Sequence, residues 1–451
     1  MWTTPHTAPI CANCGQHRRS SPQFFNNPPR GAAGLLSAFQ QINSPYYYDY
    51  YIYFIQATIE NGTRSRRKDG HMNITLGKSD LLSALQIVSK GLSTKPQTPI
   101  LSGIYLSAKD GQLELQSTNY EIGFILTVPA EVQTPGTTVL PGKYLTEFAR
   151  KLPADDISVD CVSEEGLAVI TSGKARFTLR KMEVNDFPVL RRMDGTLRFT
   201  VKDRTLARLV KKSAFACLKE EQRDRRPVFT GCQLEVEGQS VTFAATNVHR
   251  LAVKSERIEH DAGEIRAVVP AKFLEEVTRT VTGEVPTDIE IMCSHNQISV
   301  SAEGVYMTSR LIEGSFPDYR RVIPSADKIR TKVTMSAADF AAAVDRASLI
   351  SRTDQYNIVK LEFENNLLRI SSNSPEVGAA EETIEAAVEG DPAAIAFNAS
   401  YLLDAMKSLD SDTCVLALQG PNEQGQNLSP ITIREDADPD YIYVVTPVRT
   451  H

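Results

Sequence analysis

From Met72 onward, apolar and polar residues follow two rhythms. The first is alternation at every second residue, which predicts half-buried strands. It runs through "IYLSAKDGQLELQSTN", "CQLEVEGQSVTFAATN" and "VKLEFENNLLRISSN". Each run carries a turn signal at its middle, Asp110-Gly111, Gly238 or Asn365-Asn366, and so predicts a hairpin; each ends in an Asn, at 119, 247 and 373. The second rhythm is helical. "SDLLSALQIVSKGL" from Ser79, "DRTLARLVKKSAFAC" over Asp203–Cys217 and "SAADFAAAVDRASLI" from Ser336 predict amphipathic helices. A third phrase joins the two: "TVLPGKYLTEFARK", "VVPAKFLEEVTRTV" and "IAFNASYLLDAMKS" each run as a strand to Pro or Asn and open into a helix. Pro141, Pro270 and Asn398 stand about 128 residues apart, the signature of an internal repeat.

Further alternating runs, Ala175–Met182 and Val305–Ile312, fill the copies, and two copies close on "DFPVL" and "SFPDY". Each unit is therefore two helices and about eight strands, with the helices covering one face of the sheets. The fold class predicted is α+β in three tandem copies: 72–195, 196–325 and 326–451, with connectors after the two Phe-Pro motifs. Similar units in tandem pack by similar surfaces into an arc, and an arc whose ends match closes head-to-tail with a second copy into a ring.

Residues 1–71 break the pattern. They are rich in Pro, Asn, Ser and Tyr, lack sustained periodicity and end in "RSRRKDGH". Met72 opens a strand and then a helix, so the functional protein is expected to begin there, with 1–71 a disordered extension or an upstream-start artefact. "CANC" at Cys11–Cys14, near His6 and His17, has zinc-like spacing, but a closed site needs four ligands and no second CxxC follows. Neither a metal nor a cofactor is expected. Seven Cys, five of them set singly in strand or helix patterns, read as buried free thiols of a reducing cytoplasm. No apolar run reaches the roughly 18 residues of a membrane span.

The net charge is −6, so a nucleic-acid partner would have to meet a local basic surface. Helical spacing supplies one. Arg204, Arg208, Lys211 and Lys212 share a face opposite Leu206, Leu209 and Val210; Lys272 and Arg279 share another; Lys143, Arg150 and Lys151 recur in the first unit. Lone surface helices also carry Lys and Arg outward, but recurrence at matching places of an acidic repeat protein points to phosphate contact, which is independent of base sequence.

The residues also resemble a known family. "KPQTPILSGIYL", "TNYEIG", "ATNVHRLAV", "TSRLIEGSFPDYRRVIP", "FNASYLLDAM" and "YVVTPVR" run in order through all three units and are similar to the bacterial DNA polymerase III beta subunit family, the sliding clamps. The resemblance implies a non-catalytic, head-to-tail homodimeric ring around double-stranded DNA. Its implied partners are the replicative DNA polymerase alpha subunit, the clamp loader and other clamp-binding-motif proteins. It also implies a partner-peptide pocket at Arg226, Phe229, Thr246, His249, Arg250, Leu251, Pro317, Arg321, Val322, Asn398, Tyr401, Leu428, Val444, Thr446 and Val448. DNA contacts are implied at Lys95, Lys272 and Arg279, beside the helix-face residues Lys143, Arg150, Arg204, Arg208 and Lys211. Phe177 and Leu179 are implied to meet Leu349 and Ile350 across the ring seam, with Lys174 and Arg176 facing Glu381, Glu382 and Glu385. The family pattern Thr-Asp-Gly-His-Arg-Leu departs here to Thr246-Asn247-Val248-His249, and a β-branched residue resists the positive φ that Gly allows. Two other readings remain open on the residues alone. One is a repeat scaffold that binds only proteins. The other is a metal-dependent nucleic-acid enzyme, although no GxxxxGK[ST], HExxH or GxSxG motif is present.

Overall fold

The computed structural model describes residues 71–93, 98–195, 197–223, 225–352, 357–422 and 425–449. Among the described residues, six α-helices fall in three pairs: α1 (Lys78–Val88) with α2 (Gly142–Lys151), α3 (Asp203–Lys211) with α4 (Ala271–Val281), and α5 (Ala337–Ser348) with α6 (Ala399–Ser408). Leu81, Leu85, Leu145 and Ala149 of the first pair, Leu206, Phe273 and Val277 of the second, and Phe340, Val344 and Leu402 of the third turn into the core. The polar positions between them face out, as the helical spacing predicts. The hairpin turns form at the signalled places. Asp110 (φ +53°) and Gly111 (+76°), and Asn365 (+52°) and Asn366 (+58°), are both left-handed, whereas Gly238 (+60°) is so on its own.

The strands pair antiparallel in four sheets. Eight strands form a sheet shared by the first two copies, joined where Val305–Arg310 pairs with Ile122–Pro129. Nine form a sheet shared by the second and third, joined where Arg250–Arg257 pairs with Tyr441–Val445. The remaining two sheets have five and four strands and end on Ala175–Arg180 and Gly378–Glu385. Those two strands have a partner on one side only among the described residues.

Three readings need correction. The helix expected over Asp203–Cys217 stops at Lys211 and gives way to a 3₁₀ turn at Ala214–Ala216, because Lys212 is drawn inward. Lys212 is fully buried, not on the basic face: its ammonium pairs with Glu435 and lies 3.2 Å from both Asp410 and Asp438. The strands expected to reach Met182 and Ile312 end at Arg180 and Arg310. Cys161, Cys217, Cys232, Cys293 and Cys414 are buried free thiols, and burial pushes Cys161 up to about 11. "CANC" and the rest of the leading segment lie outside the described residues.

Candidate functional site: a groove at the second joint

Strand Ser240–Thr246 turns into Arg250–Arg257 through Asn247, Val248 and His249. The turn is built by side chains: Asn247 Oδ1 accepts from the His249 and Arg250 amides (3.1 Å each), and Thr246 Oγ1 accepts from the Val248 amide (3.1 Å). This is an Asx-type turn, and it places its second residue in the left-handed region. Val248 takes up that conformation at φ +81° although its β-branched side chain resists it. The hydrogen bonds on either side impose it, and the strain stays in the turn. The Val248 side chain is 48% exposed.

Across the joint, the backbone amide and hydroxyl of Thr446 donate to His249 O (2.9 and 3.0 Å). Asn398 caps α6 by accepting from the Ser400 amide (2.9 Å), and Tyr401 one turn on stacks its ring on His249 at 6.3 Å. Arg250 is sandwiched between the rings of Tyr401 (4.8 Å) and Phe215 (5.5 Å). It donates to Asp404 Oδ2 (2.6 Å) and Phe215 O (2.5 Å). Burial opposes its charge, but Tyr443 and Asp404 outweigh this and keep it protonated. Asn247, Val248, His249, Arg250, Asn398, Tyr401 and Asp404 wall a groove of about 990 Å³.

Of the residues implied for a partner pocket, Arg226, His249, Arg250, Asn398 and Tyr401 line that groove. Leu251 and Val444 lie under an adjoining apolar layer with Ala244, Val253, Tyr319 and Ile442, and Phe316 and Ile323 pack on it. Phe229 meets Phe316 edge-on at 6.2 Å. Pro317, Arg321 and Val322 are exposed on the connector, Arg321 paired with Asp318 at 2.9 Å. Thr246 is buried in the turn; Leu428 is half-buried; Val448 donates its amide to Ala396 O (2.8 Å) beside the strand that leads into α6. Sequence reasoning missed Cys217, Lys219, Arg225 and Asp404 on the groove wall. Asp404 had a signal, since it stands three residues after Tyr401 on one helix face.

The basic residues sort into two groups. Lys143, Arg150 and Lys272 are exposed and, among the described residues, have no carboxylate partner. The others are engaged: Arg208 with Glu256 (2.7 Å), Lys211 with Asp410 (2.5 Å), Arg279 with Glu275 (3.0 Å), and Arg204 with Glu284 O (2.7 Å). Lys95 lies outside the described residues. At the implied seam, Phe177 is half-buried against Phe148 (4.7 Å), and Leu349 is exposed beside half-buried Ile350. Leu179, on the same strand face as Phe177, packs into the core and is 7% exposed. Lys174 and Glu385 are exposed, whereas Arg176 pairs with Glu164, Glu381 with Arg369 and Glu382 with Arg346 within the chain.

Tandem modules fused through shared sheets, with an amphipathic groove where two of them meet, define a multi-module binding protein. Family models for the N-terminal, central and C-terminal domains of the DNA polymerase III beta subunit match residues 72–191, 200–318 and 320–449. The chain belongs to the DNA polymerase III beta subunit family. A "Beta sliding clamp" of Staphylococcus epidermidis is 29% identical over 391 residues, covering 84% of this chain and all of the relative. A DNA polymerase sliding clamp structure from Bacillus subtilis is 28% identical with a TM-score of 0.79, and the DNA polymerase III subunit beta of Pseudomonas aeruginosa is 29% identical with a TM-score of 0.77. Each structure covers 84% of this chain and is itself covered completely.

Proposed function

We infer that this chain is a DNA sliding clamp, a non-catalytic processivity factor that encircles double-stranded DNA and tethers the polymerase to it. One observation supports the ring above all. The two joints within the chain are continuous sheets of eight and nine strands, and the two terminal sheets of five and four strands present open edges. Edge pairing between Ala175–Arg180 of one copy and Gly378–Glu385 of another would join the two into one continuous sheet, the same construction a third time. Open edges are otherwise a liability for aggregation, and closure removes them. Domain limits of 72–195, 196–325 and 326–451 put both shared sheets across domain joints.

Free cations at Lys143, Arg150 and Lys272 supply phosphate contacts without base reading. Arg204, Arg208, Lys211 and Arg279 contribute less, because protein acceptors already hold them. The groove at the second joint takes a short peptide from the polymerase alpha subunit, the clamp loader or other partners, anchored by apolar side chains on the layer beneath Tyr319 and rimmed by Arg226, His249 and Asn398. No helix among the described residues is long and apolar enough to cross a membrane. As a replication factor working on DNA, the chain would act in the cytoplasm. The test is topological. The protein should stay on a nicked circular duplex through gel filtration and be lost when the circle is linearised. Equal loss from both forms would leave a protein-only scaffold as the reading.

A further inference from the structure

The connector after the second unit, residues 315–324, carries both the apolar layer beside the groove (Phe316, Tyr319, Ile323) and the exposed Pro317, Arg321 and Val322. Beyond that apolar packing, its polar grip on the rest of the fold is concentrated, among the described residues, in one side chain. Glu235 stands on strand Gly231–Glu237, well outside the groove wall, and is only 6% exposed. Its Oε2 accepts from the Tyr319 hydroxyl at 2.9 Å and from Arg320 Nη2 at 2.6 Å, and its Oε1 accepts from Arg320 Nη1 at 3.4 Å. The Arg320 guanidinium also lies 4.9 Å over the Tyr319 ring. Burial and then the Glu235 carboxylate push the Tyr319 hydroxyl well above its usual range, so it remains a donor throughout the physiological range.

A buried carboxylate that takes three hydrogen bonds from two consecutive residues fixes both their position and their rotation. Tyr319 is thereby held ring-down on Leu251, Val253 and Val444, and Arg321 and Val322 are presented outward. We propose that Glu235 is the positioning residue of the partner groove: it touches no ligand, and through Tyr319 and Arg320 it sets the connector against which a peptide docks. This rests on the reading of the groove as a peptide site.

The experiment uses the full chain, a fluorescently labelled short peptide with Leu and Phe anchors, and the variants Glu235→Gln, Tyr319→Phe and the double. Glu235→Gln should weaken the peptide about tenfold, mostly through faster dissociation, while retention on nicked circular DNA is unchanged. Amide exchange over 315–324 should quicken in the same variant. The double variant should be no weaker than Glu235→Gln, because both changes break one unit. Wild-type affinity and wild-type exchange in Glu235→Gln would overturn the proposal. Should Glu235→Gln fail to fold, Tyr319→Phe carries the test with the same two readouts: unchanged exchange and unchanged affinity would overturn it. A wild-type chain that ignores the peptide would instead overturn the groove reading, and the exchange comparison would still decide whether Glu235 holds the connector.

Discussion

At the first joint, Glu121 O accepts from the Arg310 amide (2.9 Å); at the second, His249 O accepts from the Thr446 amide at the same distance. The two turns are also alike. Asn119 Oδ1 accepts from the Glu121 and Ile122 amides as Asn247 Oδ1 does from His249 and Arg250, and Tyr120 is left-handed at φ +72° as Val248 is at +81°. The side chains then diverge. Glu121 is taken by Arg223 (3.0 Å), whereas His249 stacks on Tyr401 and lines the groove. The connectors diverge too. The first is held by Phe187 on Tyr105 (5.4 Å), by Leu190 N to Gln116 Oε1 (2.8 Å) and by the Arg192 guanidinium over the Tyr306 ring (5.3 Å). The second is held by its apolar packing and by the Glu235 carboxylate, and the same joint carries an ionic cluster in which buried Lys212, Lys254 and Glu435 meet half-buried Asp438 and exposed Asp410. One backbone scheme thus has two outcomes, and side-chain chemistry decides which joint opens into a groove.

The largest expected break in that comparison is Lys212→Ala. It leaves Glu435 buried without its counter-ion, and such losses are about 3–5 kcal/mol. Lys90→Ala, which removes the half-exposed partner of Glu276 at the first joint, should cost about 0–1 kcal/mol. Urea denaturation of the two variants checks the contrast, and equal losses would erase it.

Acid should act on the second joint next. Burial pushes Asp438 and Asp410 up, but hydrogen bonds from Lys254 and Lys212, and from Lys211 and Lys212, hold both below their ordinary value. Each therefore stabilises the fold at every pH above the unfolded value of about 3.9, and that stabilisation is lost as pH falls through the lower folded values. Amide exchange at Tyr441–Val445 should quicken below about pH 4 before exchange at Val305–Arg310 does.

DNA retention sharpens the sorting of the basic residues. Lys272→Ala should reduce the salt slope of binding by about one phosphate contact, roughly 0.9 in log units, whereas Arg208→Ala should move it far less. Equal slopes for the two variants would refute that sorting. The smallest effect is strain. Val248→Gly should stabilise by about 1 kcal/mol or less, since relief of the left-handed backbone is partly offset by the wider freedom of Gly in the unfolded chain. Thermal unfolding measures it.

Much of the fold is legible in the sequence alone. The hairpins at Asp110-Gly111, Gly238 and Asn365-Asn366 declared themselves because turn chemistry is local. Lys212 misled, because helical spacing alone puts it beside Arg208 and Lys211, and nothing nearby in the chain announces Glu435, more than two hundred residues on. Arg208 and Lys211 misled more gently: their exposure was foreseen, but not the carboxylates that hold them. Glu235 drew no notice, since a charged residue on an alternating strand reads as solvent-facing until a connector lies over it.

By itself, the sequence determined the threefold repeat, the pairing of helices with hairpins and the Asn-centred turns, because each depends on contacts between residues close along the chain. Only the tertiary structure decided which charges are spent inside the protein, which joint opens into a groove and which sheet edges stay bare. Those outcomes depend on low-dielectric burial and on partners from distant strands, and no local pattern encodes them.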